Sequence, residues 1–304
     1  MANSSDWISA LRLRTLPLSV SGILVGSFVA VYQGYWNPVI FSLALSTTLL
    51  FQILSNLAND LGDSLKGADN SGRIGPMRAV QSGAISKSAM KNAVIFTAVI
   101  SFISAGFLIY FGTKHLSSAS IYIYSGLAIA SVLAAITYTI GKKAYGYNGL
   151  GDLFVFIFFG LVSVMGVYPL FSDSLSWELV LPAVTIGFLS TAVLNLNNMR
   201  DRENDEKVGK RTLVVKLGAK NAKHYHFFLI VTAFLSWILF LVLTKNWMGF
   251  ISLIPAILFA KHLVFVAKNS IPKELDSQLK TVALGTFFIS ILYVISVSVN
   301  QWIL

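Results

Sequence analysis

Nine apolar runs, each about long enough to cross a bilayer, leave this chain little choice of fold. They fall roughly at 16–35, 38–58, 91–112, 119–140, 150–171, 177–198, 225–244, 247–268 and 281–303 of its 304 residues. A run of about 20 apolar residues reads as a membrane-crossing helix, because a helix satisfies its own backbone polar groups where no water reaches. Only 12% of the residues are charged, about half the share in a soluble globular domain. The expectation is an all-α membrane protein of nine transmembrane helices, a single domain over 1–304. There is no cysteine, which excludes a disulfide framework, a thiolate metal site and a cysteine nucleophile. The first residues lack the basic segment and cleavage site of a signal peptide.

With the N-terminus in the cytoplasm, 21 of the 23 Lys and Arg residues fall on the cytoplasmic side, leaving Lys114 and Lys245. That asymmetry fits the positive-inside rule and orients the chain. The net charge of +10 is then a matter of topology, and nothing asks for a nucleic-acid partner. Trp7, Trp36, Trp177, Trp247 and Trp302 lie near the ends of runs, where amphipathic rings favour the headgroup zone. Ser86 is placed to cap the third helix, and Gly22 with Gly26 to allow close helix packing.

The acids are not scattered. Seven of the 13 Asp and Glu residues lie at 60–69 or 201–206, where the second and sixth runs end. Read as a continuing helix, Asn56, Asn59, Asp60 and Asp63 recur at spacings of three and four and share a face. Asn197, Asp201 and Asp205 do the same four apart. One acid at a helix end is ordinary solvated surface. Two Asn/Asp faces on one side of a membrane suit a shared divalent cation, since a carboxylate near hydrocarbon costs about 2.5–3.5 kcal/mol without compensation.

Oxygen-only donors favour Mg²⁺ over Zn²⁺. His224 and His226, two apart, lie on different helix faces and read as interfacial residues rather than ligands. Mg²⁺ is commonly held by one or two carboxylates plus substrate phosphates. A metal-bridged diphosphate therefore fits, with Lys66, Arg73, Arg78, Lys142 and Lys143 available for its oxygens. A diphosphate bound at a membrane implies a lipid tail, the form of a polyprenyl diphosphate. Each acid cluster is followed by a basic, glycine-containing segment and a Gly-Ala pair, at 83–84 and 218–219. An internal duplication would leave that order, and so would similar boundary chemistry.

On these residues the chain resembles a known family. Asn59-Asp60-Leu-Gly-Asp63 with Asp69, and Asn197-Asn198-Met-Arg-Asp201 through Asp205 to Gly209-Lys-Arg-Thr, are similar to the paired aspartate motifs of the UbiA superfamily of intramembrane prenyltransferases. Arg73-Ile-Gly-Pro-Met-Arg78, Gln81-Ser-Gly83 and the segment from Gly151 to Gly160 resemble the branch that acts on 1,4-dihydroxy-2-naphthoate. Two positions depart from the general pattern. Gly67 stands where the first motif usually has its last Asp, and Asn197 where the second often begins with Asp.

The resemblance implies nine transmembrane helices around a central cavity with the acids at its cytoplasmic mouth, in a bacterial cytoplasmic membrane. It implies transfer of a polyprenyl chain from polyprenyl diphosphate to 1,4-dihydroxy-2-naphthoate, with loss of CO₂, to give the demethylmenaquinol of menaquinone biosynthesis. Asn59, Asp60, Asp63, Asp69, Asp201 and Asp205 would organise Mg²⁺ and diphosphate. Lys66, Arg73, Arg78 and Lys142 would contact the diphosphate, and Asn56 and Asn197 the substrate. Tyr138 would stand near the reacting centre and Arg14 would take the acceptor carboxylate. Competing readings are another acceptor, such as 4-hydroxybenzoate or homogentisate, and an ion-coupled secondary transporter, whose site would lie nearer the membrane midplane.

Overall fold

The computed structural model describes residues 2–70 and 72–303, with Trp302 and Ile303 described by backbone alone, so the Trp302 side chain lies outside the described residues. Among the described residues the regular structure is entirely helical, and nine helical segments are long and apolar enough to cross a membrane. The protein is a multi-pass integral membrane protein, as its nine apolar runs predict. In chain order the helices are α1 (Ser4–Leu11), α2 (Leu16–Tyr32), α3 (Pro38–Leu65), α4 (Lys87–Gly112), α5 (Ser118–Thr137), α6 (Gly151–Val155), α7 (Val180–Lys207), α8 (Leu213–Leu243), α9 (Ala256–Lys268) and α10 (Leu275–Ile303).

Local chemistry sets the helix starts. Ser86 caps α4 by accepting from the Ala89 N–H at 3.2 Å, as expected. Asn37 caps α3 through Val39 and Ile40, with Pro38 at the first helical position, where its missing N–H costs nothing. Thr212 caps α8 through Val215 at 3.3 Å.

Several elements differ from their sequence-based bounds. Helices α3 and α7 continue past their apolar runs, each to 28 residues. Asp63 and Asp205 each stand two residues before their helix end, so both acid faces belong to the last turns of unbroken helices. Helix α8 starts well before 225 and is interrupted at Gly218, whose φ of 74° is open to glycine. The segment Phe156–Met165 after α6 is π-helical, a widened turn that apolar periodicity does not register. The short helix α1 has no apolar run of its own; reciprocal bonds between Asn3 and Asp6 start it.

Packing follows membrane rules. Helix α4 turns Val94, Thr97, Ser101 and Ala105 inward and Phe96, Ile103 and Phe107 outward. Lipid is as apolar as a protein core, so small side chains and polar pairs such as Thr47 with Ser104, 2.7 Å apart, hold helices together. A Cβ at Gly26 would meet the Val164 carbonyl at 2.5 Å, which is why α2 lies so close to the π-helical segment. Helix α7 runs through the bundle against α8, α10 and that same segment.

Candidate functional site

The end of α3 is fastened to the loop that follows it. Asp60, 1% exposed, accepts the backbone N–H groups of Ala79 and Val80 at 3.2 and 3.3 Å. Asp63 accepts from Arg78 Nη1 at 2.5 Å and from the Tyr147 hydroxyl at 2.7 Å. Arg78 also donates to the Asn59 carbonyl at 2.8 Å and stands 3.3 Å from Asp69. Asp69 sits between Arg78 and Arg73, the latter also at 3.3 Å. Asn59 Oδ1 accepts from Thr139 at 3.4 Å. Asn56 is occupied elsewhere: its amide donates to the Leu11 carbonyl and Thr15 and tethers the α1–α2 junction.

The end of α7 builds the second half. Arg200 grips Asp201 with both sides of its guanidinium, Nε to Oδ1 at 3.0 Å and Nη2 to Oδ2 at 2.6 Å. The same side chain donates to Asn197 Oδ1 at 2.8 Å and to Asp276 of α10. Lys210 lies 3.5 Å from Asp205.

The two halves meet. The Gly75 N–H donates to Asp201 at 3.3 Å, and the Asn204 amide to the Ala68 carbonyl at 3.2 Å. Between them stands Tyr147, with Lys66 4.1 Å and Lys210 5.5 Å from its ring centre, both within cation–π range. The Arg211 N–H closes the junction on the Tyr147 carbonyl at 3.0 Å.

Electrostatics in the connecting loops follow from this crowding. Burial alone would lower the Arg78 guanidinium, but Asp63 and Asp69 outweigh it and hold it above its ordinary value. Burial lowers Lys66 against the pull of Asp63. Burial and the Asp63 charge push the Tyr147 phenol up, and burial does the same to Tyr138. Both phenols therefore stay neutral, and Tyr147 donates to Asp63.

Below this polar head lies a cavity of about 890 Å³. Ala44, Thr47, Phe51, Ser55, Asn59 and Asp63 line it from one face of α3. The last lies nineteen positions beyond the first, about 28 Å of helix. Tyr138, Tyr145, Phe154 and Phe158 form an aromatic wall beneath the acids, with Tyr138 edge-on to Tyr145 at 5.2 Å and Tyr145 stacked on Phe154 at 4.0 Å. A charged head group and a long apolar tail would fit this space together.

Most of the expected residues converge here, with informative exceptions. Lys142 and Lys143 are exposed and away from the cavity wall; the buried lysine beside the acids is Lys210. Arg14 lines the cavity but is exposed. Arg12 holds a left-handed backbone, φ 52°, and its Nη2 is buried without a partner. His226 is not interfacial: it is fully buried, its Nε2 2.7 Å from His262 Nε2 on α9. Tyr147, Arg200 and Lys210 were not singled out from the sequence. For Lys210 a signal existed, since Gly209-Lys210 after the second cluster mirrors Lys66-Gly67 after the first.

The donors suit a hard divalent cation. Every candidate ligand is oxygen, and three buried acceptors at the site, Asp69 Oδ1, Asn198 Oδ1 and Asp205 Oδ2, lack a hydrogen-bond partner. Among the described residues, no three His, Asp or Glu side chains are arranged to hold a metal ion as they stand, and arginines are paired with Asp63 and Asp201.

Comparison with known proteins adds independent information. A profile of the UbiA prenyltransferase family matches residues 19–292. The chain is 42% identical over 294 residues to a 1,4-dihydroxy-2-naphthoate octaprenyltransferase of Haemophilus influenzae, covering 94% of each protein. It is 40% identical to the Escherichia coli protein of that name, covering 99% of this chain and 98% of the relative. Its fold is similar to that of a UbiA homolog from Aeropyrum pernix K1, with a TM-score of 0.69 at 16% identity over 95% of this chain and 99% of the other.

Proposed function

The chain belongs to the UbiA prenyltransferase family, and from that premise we propose that it transfers a polyprenyl chain from polyprenyl diphosphate to 1,4-dihydroxy-2-naphthoate. Membership makes it a transferase and sets aside the transporter reading. The single observation that supports a diphosphate donor is the meeting of the two acid clusters, through Gly75–Asp201 and Asn204–Ala68, at the head of a deep apolar cavity. The choice of acceptor rests on the naphthoate octaprenyltransferases that match nearly end to end.

In the proposed reaction the allylic C–O bond breaks and its electron pair leaves with the diphosphate. The naphthoate ring supplies the pair for the new C–C bond, and its carboxylate departs as CO₂. Asn59, Asp60, Asp63, Asp69, Asp201 and Asp205 are the proposed holders of Mg²⁺, which when bound would neutralise charge developing on the leaving diphosphate. Asp60 has the least freedom of these, because the loop backbone uses both its oxygens. Lys66, Arg73, Arg78 and Lys210 are the proposed diphosphate contacts, with Asn197 beside them. Neutral Tyr138 and the aromatic wall keep water from the allylic centre. Arg14, with the unpartnered Arg12 Nη2 two residues before it in the chain, is the proposed partner of the acceptor carboxylate. We place the protein in a bacterial cytoplasmic membrane with the site facing the cytoplasm, on the Lys/Arg asymmetry.

Mass spectrometry tests this. Membranes containing the protein, given a prenyl diphosphate and 1,4-dihydroxy-2-naphthoate, should yield the prenylated ring lacking its carboxylate. Product only from 4-hydroxybenzoate or homogentisate, or a naphthoate product that keeps its carboxylate, would overturn it.

A further inference from the structure

Among the described residues, seven basic side chains line the cavity against three acidic ones, Asp60, Asp63 and Asp276. The remaining acids of the two clusters are withheld from the wall. Asp201, Asp205 and Asp69 do not line the cavity, whereas the cations paired with them do: Arg200, Lys210, and Arg73 with Arg78. Of the lining acids at the head, Asp60 is bonded to the loop backbone and Asp63 to Arg78 and Tyr147. A divalent cation entering this cavity meets guanidinium and ammonium groups. A diphosphate entering it meets donors.

We infer that diphosphate is the first ligand of the site and creates the metal site itself, by drawing Arg200 off Asp201 and onto a phosphate oxygen. This rests on the prenyl-diphosphate reading above and gives Arg200 a part in substrate binding. The guanidinium suits the exchange because its planar fork matches phosphate as well as carboxylate. It already lines the cavity, and Asn197 and Asp276 hold its other donors. Its departure frees Asp201 Oδ2 and leaves Oδ1 only the Gly75 N–H, and Asp205 Oδ2 and Asn198 Oδ1 have no partner to lose. No covalent bond changes; one anion replaces another on the arginine. By linkage, diphosphate must tighten metal by the same factor as metal tightens diphosphate, a coupling expected at about tenfold or more.

The test uses the purified full chain in detergent, with Mn²⁺ as a paramagnetic substitute for Mg²⁺ and inorganic diphosphate as the anion. Free Mn²⁺ is followed by electron paramagnetic resonance and corrected by a protein-free titration. Wild type should bind Mn²⁺ at least about tenfold more tightly with diphosphate than without, and should bind diphosphate in the presence of EDTA. Arg200→Gln should bind Mn²⁺ more tightly than wild type when diphosphate is absent, with the coupling factor falling towards one. Arg200→Lys keeps the charge and should still exclude the metal.

Equal Mn²⁺ affinity with and without diphosphate in wild type overturns the inference. So does an Arg200→Gln protein with a native melting curve and unchanged metal affinity. If Arg200→Gln does not fold, the wild-type titrations still decide. Neither arm contains an aromatic acceptor. Diphosphate-first binding without transfer to naphthoate would therefore sink the proposed function and leave this inference standing, and transfer with metal-first binding would do the reverse.

Discussion

Replacing Arg78 with Gln removes the cation that reaches both Asp63 and Asp69, and its cost can be worked from the geometry. Nη1 lies 2.5 Å from Asp63, 3.3 Å from Asp69 and 2.8 Å from the Asn59 carbonyl. The Arg78 side chain is 10% exposed and the two carboxylates 4% and 1%, so the pairs are largely shielded from solvent. Removing one partner from a buried ion pair costs about 3–5 kcal/mol, against about 0–1 kcal/mol for an exposed pair. Loss of the Asn59 bond as well places Arg78→Gln in the upper half of that range. Adding Asp69→Asn removes one of the two carboxylates that lose Arg78, the one that keeps Arg73, so the double variant should recover part of the loss, an interaction energy of about 0.5–3 kcal/mol. Equilibrium unfolding of wild type, both single variants and the double variant in mixed micelles measures the cycle. A cost below about 1 kcal/mol for Arg78→Gln, or additivity within about 0.5 kcal/mol, would refute the reasoning.

Three further outcomes are expected. Asp63→Ala and Asp201→Ala should each abolish prenyl transfer with the protein still folded in the membrane, and EDTA should do so reversibly on Mg²⁺ addition; normal turnover in either case removes the metal role. Lys210→Ala should lower kcat/KM by more than Lys142→Ala, because Lys210 is buried beside Asp205 and Lys142 is exposed; steady-state kinetics with the order reversed would contradict the site as drawn. Burial, and Asp63 against Arg78, raise the Asp69 carboxyl above its ordinary value, so the folded state is the tighter proton binder. The stability this group contributes is full at acid pH and is lost as pH rises through the folded pKa. The unfolding free energy of Asp69→Asn relative to wild type should accordingly grow as pH rises above the ordinary carboxylate range, and a flat difference would count against it.

What the sequence could disclose depended on whether the information was local. Apolar length disclosed the nine crossings, and spacings of three and four disclosed both acid faces, because one helix carries each pattern whole. Ser86 was legible as a cap for the same reason. Partners supplied by another helix were not. His226 was read from its distance to His224 on its own helix, while its true neighbour, His262, comes from α9. Lys142 and Lys210 are equally basic in sequence, and apart from the Gly209-Lys210 pair that mirrors Lys66-Gly67, it is the folded loops that bring Lys210 to Asp205. Arg200, lying among acids at a membrane boundary, looked like topology until α10 brought Asp276 to its other side.

One face of α3 carries the acids at the head of the cavity and lines about 28 Å of it on a single rigid rod. Inserting one residue between Phe51 and Ser55 would turn everything beyond it by about 100°, aiming the carboxylates away from the groove they serve. Seven added residues, close to two full turns, would keep the face in phase and deepen the groove by about 10 Å. Length changes in this helix should therefore be tolerated only in steps that preserve its phase, and finer changes in cavity depth would have to come from side-chain size or from the neighbouring helices.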